Sequence, residues 1–248
     1  MQLQLSTWPE VEAYLSRSRG IVVPIGSTEQ HGPTGLIGTD AICAEVIARG
    51  VGQESDALVA PTINVGMAQH HMAFPGTMTL RPSTMVAVIR DNVLCLAEHG
   101  FQRFLFVNGH GGNVATIGAA FAEIYNELRA RLGEAAPAVR CRQMNWWDVD
   151  GVRGYSREAF GIAEGSHATP SEVALTQWAY PDEIKRAVLE PPIAPSGSFY
   201  DARHYRSRFP DGRIGSNPGL ATPEHGQRLY DIAVAGLSQA YRNFLAED

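Results

Sequence analysis

The fold is decided by the stretch Ile21-Val22-Val23-Pro24-Ile25, a short apolar run rich in β-branched residues that ends at Gly26. Such a run predicts a buried strand. A polar loop follows, and Ala41–Val51 then carries apolar residues at helical spacing, with Asp40 placed to cap the start of the helix. Strand, loop and helix in this order are typical of the repeating unit of a parallel α/β fold.

The same alternation continues along the first half of the chain. Further strands are predicted over three segments, Ala57–Val65, Phe104–Val107 and Val139–Trp147. Between them we predict one helix that Pro82 opens and His99-Gly100 closes, and another over Val114–Leu132. Strands and helices that alternate with short connections predict an α/β fold with a mainly parallel sheet covered on both faces.

The second half of the chain is less regular. We expect irregular structure over the glycine-rich segment Asp148–Pro170, a helix over Ser171–Tyr180, mostly loop over Pro181–Pro223 and a final helix over Glu224–Leu245. No repeat or linker interrupts the pattern, so we expect one domain over residues 1–248. Long loops are unusual in a compact monomer unless they line a site or an interface.

The composition is that of a soluble globular protein, with 44% hydrophobic and 19% charged residues. The net charge of −6, without a basic run, argues against nucleic acid as a partner. No apolar run approaches the roughly 20 residues that span a bilayer, and Met1–Trp8 lacks the features of a signal peptide. Three cysteines without CxxC spacing favour the reducing cytoplasm as the compartment.

Two polar clusters follow predicted strands directly. The loop Gly26–Asp40 comes after the first strand, and Asn108–Asn113 comes after the third. Because ligands bind outside the carboxyl ends of parallel strands, both clusters are expected on the same rim of the sheet.

The first cluster carries Glu29, His31 and Asp40, which together offer carboxylate oxygens and an imidazole nitrogen to a divalent cation. A polar loop with a histidine by chance is the alternative for Glu29 and His31, and a helix N-cap is the alternative for Asp40. A carboxylate that bridges two cations is, however, what a two-metal site requires.

In the second cluster, His110 stands among glycines between a strand and a helix. There is no GxGxxG motif and no following Lys-Ser/Thr pair, so a metal ligand explains His110 better than a phosphate loop does. His167 and Glu172 flank the start of a predicted helix. Glu172 is either favoured by the helix dipole or a further ligand, and His167 is a loop residue or a proton carrier.

Other chemistries are less well supported. There is no GxSxG motif, and no cysteine has a partner nearby in sequence. His71 and Trp147 are candidate substrate-binding residues. The alternative for the His70-His71 pair is packing or support of neighbouring ligands, and core packing is favoured over substrate stacking for at least one of Trp146 and Trp147. Metal-assisted hydrolysis is therefore the leading hypothesis.

These segments resemble the creatininase (creatinine amidohydrolase) family over nearly the whole chain. The matching motifs are Pro24–Pro33 with Gly38-Thr39-Asp40, His71 with Phe74-Pro75-Gly76-Thr77, Asn108–Asn113, and the late segment Gly219–Gly226. The resemblance implies a three-layer α/β/α sandwich, a binuclear metal site and a ring-like homohexamer.

Carried over residue by residue, the resemblance implies that Glu29 and His110 hold one metal, that His31 holds the second, and that Asp40 bridges them. Creatininases carry a glutamate where this chain has Gly112. Relatives with the NGHGGN motif take a glutamate from a later segment instead, which corresponds to Glu172 here. The departure puts creatinine itself in doubt as the substrate.

The predicted reaction is hydrolysis of a non-peptide C–N bond, in a cyclic amide or formamide, by a hydroxide that bridges two divalent ions (Zn, Mn or Fe). His167 would pass a proton to the departing nitrogen, with Glu164 as the alternative carrier. The expected partner is a small-molecule amide. A peptidase of the same family that trims a cofactor precursor and a metal-binding scaffold without turnover remain as alternatives.

Overall fold

The central sheet has four parallel strands in the order β2-β1-β3-β4 in the computed structural model, which describes residues 1–247. The strands are β1 (Gly20–Ile25), β2 (Leu58–Val59), β3 (Arg103–Asn108) and β4 (Arg140–Asn145). The register places Ile25 beside Asn108, and Asn108 beside Asn145. The carboxyl ends of β1, β3 and β4 therefore meet at one end of the sheet.

The α-helices in residues 1–247 are α1 (Trp8–Leu15), α2 (Thr39–Glu54), α3 (Pro82–Glu98), α4 (Val114–Leu132), α5 (Asp150–Phe160), α6 (Pro170–Ala179), α7 (Ala202–Arg208) and α8 (Pro223–Leu245). None of these helices is both long enough and apolar enough to cross a bilayer.

Two separate apolar clusters cover the two faces of the sheet. Since side chains alternate along a strand, Ile21 and Val23 belong to the cluster that contains residues of α3 and α4, whereas Val22 belongs to the cluster that contains residues of α2, α6 and α8. Phe104 and Leu105 of β3 divide in the same way. This arrangement confirms the predicted three-layer α/β/α sandwich with a parallel sheet.

The second strand is much shorter than the predicted segment Ala57–Val65. The backbone still follows β1, because the amide of Ala60 donates to the carbonyl of Val22 (2.8 Å) and that of Ile63 to the carbonyl of Pro24 (3.0 Å). Pro61 has no N–H to donate, so the regular ladder ends before it.

The prediction of irregular structure over Asp148–Pro170 was wrong, since α5 occupies Asp150–Phe160. Gly151 and Gly154 lower the helix propensity of this segment. Val152, Ser156 and Phe160 are nevertheless buried on one side of the helix, and this packing outweighs the local preference.

The predicted loop Pro181–Pro223 contains the short helix α7 and is otherwise held by a buried cation. The guanidinium of Arg213 donates to the carbonyl oxygens of Pro191 (2.9 Å) and Pro192 (2.8 Å) and to the carboxylate of Asp211 (2.8 Å). Arg213 is fully buried, so these hydrogen bonds satisfy its charge. The segment is therefore ordered with little regular secondary structure.

Candidate metal centre

Side chains from three separate segments meet at the carboxyl ends of β1 and β3. The loop after β1 brings Glu29, His31 and Asp40, the turn after β3 brings His110, and the start of α6 brings Glu172. The pairing of Ile25 with Asn108 accounts for this convergence, because the two loops leave neighbouring strands at the same level. The structure thus brings together the five residues predicted as metal ligands.

Asp40 lies at the centre of the group. Its Oδ1 is 3.0 Å from Nε2 of His31, and its Oδ2 is 3.0 Å from Nδ1 of His110. The alternative of a helix cap is wrong, because Gly38 is the N-cap of α2 and makes no side-chain cap. The Asp40 carboxylate therefore faces two imidazoles with one oxygen each, the arrangement of a bridging ligand.

The remaining carboxylates stand on either side of Asp40. Oε2 of Glu29 is 3.2 Å from Nε2 of His110, and Oε1 of Glu172 is 3.8 Å from Nε2 of His31. Ligand atoms of His31, Asp40 and Glu172 all lie within 4.8 Å of one another. Two donor groups thus share the Asp40 carboxylate between them.

His70 is a donor that the sequence prediction missed. Its imidazole lies within 4.8 Å of the ligand atoms of Glu29 and His110. The adjacent His70-His71 pair is a signal in the sequence, which predicts a role only for His71, in substrate binding. His71 lies deeper, with its Nε2 3.1 Å from Oε1 of Glu29.

The buried carboxylates lack a permanent positive partner. Within residues 1–247, no lysine or arginine lies at ion-pair distance from Glu29, Asp40 or Glu172. Glu29 Oε1 and Asp40 Oδ2 are also without a hydrogen-bond partner, although imidazole nitrogens are close. Because a buried unpaired carboxylate is costly, this donor set fits divalent cations.

Comparison with known proteins identifies the family. The family model described as creatinine amidohydrolase matches residues 4–241. The chain belongs to the creatininase family. Members of this family are hydrolases, and the resemblance seen in the sequence is confirmed.

Several relatives in the creatininase family match along most of the chain. The chain is 28% identical over 236 residues to a mycofactocin precursor peptide peptidase of Mycolicibacterium smegmatis, covering 90% of this chain and 85% of that protein. It is 26% identical over 250 residues to a creatinine amidohydrolase of Pseudomonas putida, covering 95% and 94%. A solved creatininase structure with Mn has a TM-score of 0.87 at 24% identity and covers 99% of both chains, which shows the shared fold.

Gly112 departs from the residue that the resemblance gives for creatininases, and the structure shows how tightly it is enclosed. A Cβ atom at this position would collide with Nε2 of His110 and with the carbonyl oxygen of Met67. A side chain here requires the His110 imidazole to move. The carboxylate of Glu172, from α6, lies 3.8 Å from the Nε2 atom of His31 that also faces Asp40.

Without a bound metal, the buried imidazoles and carboxylates of this site shift one another's pKa values. Burial lowers the pKa of His31, but the surrounding carboxylates, Asp40 first, outweigh it and raise the value to about 10. The same balance raises the pKa of His110 to about 9. Burial raises the pKa of Glu172 to about 7, despite the opposing effect of His31.

Gln30 holds the histidines next to the donor groups. Its Oε1 accepts from the amide of Gly32 (2.8 Å), so its Nε2 is the donor, directed at the carbonyl of Gly212 (3.0 Å) and at Nδ1 of His71 (2.9 Å). His71 is therefore the acceptor at Nδ1 and carries its proton on Nε2, which faces Glu29.

The backbone carbonyl of Gln30 also orients His167. Its Nε2 lies 2.8 Å from the backbone carbonyl oxygen of Gln30 and 2.9 Å from the side-chain Nε2 of Gln30. Because the two N–H groups of that amide are directed at Gly212 and His71, we assign the proton of His167 to its Nε2, which donates to the Gln30 carbonyl. Nδ1 is then a free acceptor that lies 3.9 Å from Oε1 of Glu29. Burial, with the neighbouring imidazoles, holds the pKa of His167 well below its ordinary value, so the ring is neutral.

The backbone at Ala168 is strained, with a φ of 52°. The next residue, Thr169, caps α6 and exchanges two hydrogen bonds with Glu172 (2.6 and 3.2 Å). A left-handed alanine between a histidine and a helix cap is costly and persists only where packing enforces it. This short connection therefore fixes His167 and Glu172 relative to one another.

A cavity of about 590 Å³ opens onto the donor groups. Asp40, His110 and Glu172 lie on its wall, together with His71, His167 and Glu164. Burial raises the pKa of Glu164 to about 7, and its Oε1 accepts a hydrogen bond from Ser171. Trp147 also lines the cavity, whereas Trp146 is almost entirely buried in the core and exposes only part of itself there.

Proposed function

We propose that this chain is a binuclear metal-dependent hydrolase that cleaves a non-peptide C–N bond in a small cyclic amide or formamide. The observation that supports the proposal is the position of Asp40 between His31 and His110, among buried carboxylates that no lysine or arginine balances within residues 1–247. Such a set of oxygen and imidazole donors suits Zn, Mn or Fe.

The proposed ligands fall into two groups. His31, Asp40 and Glu172 would hold one ion, and Glu29, His110 and Asp40 would hold the other. Among the solved creatininases, one is described as the Zn-Zn type and another as Mn. Bound at these residues, divalent ions supply Lewis-acid polarisation and lower the pKa of coordinated water.

His167 is the proposed proton carrier. Its Nδ1 is unprotonated and directed toward the donor groups, so it accepts the proton of the attacking water and then delivers it to the departing amide nitrogen. Gln30 holds His167 by its backbone carbonyl and prevents rotation of the ring. Glu164, on the same cavity wall, is the alternative carrier.

The second candidate function is peptide cleavage. It is favoured by the 28% identity to the mycofactocin precursor peptide peptidase over 90% of this chain. We favour the small amide because the cavity has a volume of about 590 Å³, which suits a small-molecule ligand. A homohexameric assembly and a cytoplasmic location stay predictions.

The experiment combines metal analysis with a substrate panel. Purified protein loaded with Zn, Mn or Fe is expected to hold about two ions per chain and to hydrolyse a cyclic amide or a formamide faster than short peptides. Asp40→Asn should lose both ions and activity, while Asp91→Asn on the exposed face of α3 should keep both. Full activity in Asp40→Asn contradicts the bridging ligand, and stoichiometric metal without any hydrolysis supports the scaffold instead.

A further inference from the structure

The helix α5 turns one polar face toward the cavity. Arg153, Ser156 and Arg157 all line the cavity wall. Their spacing of three and four residues places them side by side on a helix. Val152 and Phe160, on the adjoining stripe of α5 that also carries the buried Ser156, belong to the apolar core. The core therefore fixes which face of α5 the cavity meets.

Only one of the two arginines on this wall has its charge balanced. Arg153 forms an ion pair with Asp148, which also accepts a hydrogen bond from Asn145 (2.8 Å). Arg157 has no ion-pair partner and no side-chain hydrogen bond within residues 1–247, and it is exposed to the cavity. Since lysine is absent from the wall, Arg157 is the unmatched permanent cation of the described cavity.

We propose that Arg157 is an anion-binding subsite and that the substrate is an amide that also carries a carboxylate. This inference rests on the proposed hydrolase function and names its substrate class. A planar guanidinium matches the two oxygens of a carboxylate, and one unpaired cation balances one negative charge.

The lining of the cavity and the net charge of the chain support this assignment. The same cavity wall contains Asp40 and Glu172 of the donor groups and Arg157 of α5, so a ligand that spans the cavity can contact both regions. The chain has a net charge of −6, which disfavours approach of an anion unless a local cation attracts it. Trp147, which lines the same wall, supplies apolar surface for the part of the substrate between the two groups.

The test uses ligands that are not hydrolysed. A series of keto acids begins with levulinate and lengthens by one methylene at a time, and each is paired with a neutral ketone in which isopropyl replaces the carboxylate. Binding to the metal-loaded protein is measured by calorimetry in the wild type, in Arg157→Gln and in Arg157→Lys. The matched control is Arg129→Gln, an exposed arginine on α4 outside the cavity.

At least one keto acid is expected to bind about 10-fold more weakly to Arg157→Gln than to the wild type, the effect of losing a charge-assisted hydrogen bond. Arg157→Lys should lose less because it keeps the charge, and Arg129→Gln should lose nothing. The neutral ketones should bind all four proteins equally. The inference is overturned if no keto acid binds better than its ketone, or if Arg157→Gln binds every keto acid as the wild type does.

A kinetic measurement separates this inference from the proposed function. For N-formyl amino acids, Arg157→Gln should raise KM by a similar factor and leave kcat nearly unchanged, whereas for N-formyl amines neither constant should change. If no amide is hydrolysed by any protein but keto acids still require Arg157, the hydrolase proposal fails and the anion subsite stands. If amides are hydrolysed without regard to the carboxylate or to Arg157, the substrate class is wrong and the hydrolase proposal stands.

Discussion

The side-chain amide of Gln30 lies 2.9 Å from Nδ1 of His71, and this contact fixes which nitrogen of that imidazole carries the proton. Gln30 is itself fixed, because its Oε1 accepts from the amide of Gly32 and its Nε2 donates to the carbonyl of Gly212. Burial, together with the nearby imidazoles, lowers the pKa of His71 to about 2, so its single proton stays on Nε2 and faces Glu29. Gln30, which is not a proposed metal ligand, thus orients His71, which contacts the proposed ligand Glu29.

Replacement of Gln30 by glutamate should reverse this tautomer. A carboxylate cannot donate to Nδ1 of His71, so the proton is expected to move to Nδ1 and the contact with Glu29 to weaken. Nitrogen-15 NMR of the histidine rings reports the tautomer directly, and metal affinity should fall by about 10- to 100-fold, as for other groups that orient ligands. Gln53→Glu, on the exposed end of α2, is the control. An unchanged His71 tautomer in Gln30→Glu would show that the amide does not set it.

Metal binding should release protons. The raised pKa values of His31 (about 10) and His110 (about 9) mean that both imidazoles are protonated at pH 8 in the metal-free protein, and they must lose those protons to bind metal. We expect about two protons to be released at pH 8 and fewer as the pH approaches 10. Calorimetry in buffers of different ionisation enthalpy measures the number. Binding heats that do not depend on the buffer would contradict the raised values.

The same pKa shifts predict how stability changes with pH. Because these imidazoles have higher pKa values in the folded than in the unfolded chain, their contribution is complete below about pH 6.5 and is lost as the pH rises through 9 to 10. Thermal unfolding of the metal-free protein should therefore show a falling Tm over this range. The metal-loaded protein should show a smaller fall, because bound ions replace the protons.

Gly112 should not tolerate a side chain. Gly112→Ala places a methyl group against the His110 imidazole and is expected to displace it, with loss of at least one bound ion. Gly111→Ala is a matched control, since a Cβ at Gly111 would meet nothing within 4 Å. Metal content after dialysis, measured by atomic emission, distinguishes the two variants. Equal metal content would mean that the turn adjusts without moving His110.

His167 and Glu164 can be separated as proton carriers. His167→Ala should retain both ions, because His167 is outside the proposed ligand set, while turnover falls about 10²-fold, the scale of lost acid–base catalysis. Glu164→Gln keeps the hydrogen bond from Ser171 and should reduce turnover much less. Single-turnover rates of the metal-loaded variants provide the measurement. The opposite ranking would assign the proton to Glu164.

Much of the layered fold could be predicted because its signals are local. The β-branched run that ends at Ile25 and the apolar periodicity of Val114–Leu132 each reflect neighbouring residues, and the observed α4 has those same bounds. The signals failed at two segments, the first for a local reason and the second because tertiary packing opposed them. Pro61 ended the second strand early, and α5 formed despite two glycines because its apolar side is buried.

The sequence by itself determined which side chains face the carboxyl ends of the strands, since a polar loop after a parallel strand always leaves at that end. Only the tertiary structure decided how they are paired. The register of Ile25 with Asn108 places Asp40 between His31 and His110, and the packing of α5 turns Arg157 toward the same cavity. The contacts of Asp40 and the pairing of Ile25 with Asn108 join residues 9 to 83 positions apart along the chain, and local sequence preferences carry no information about such separations.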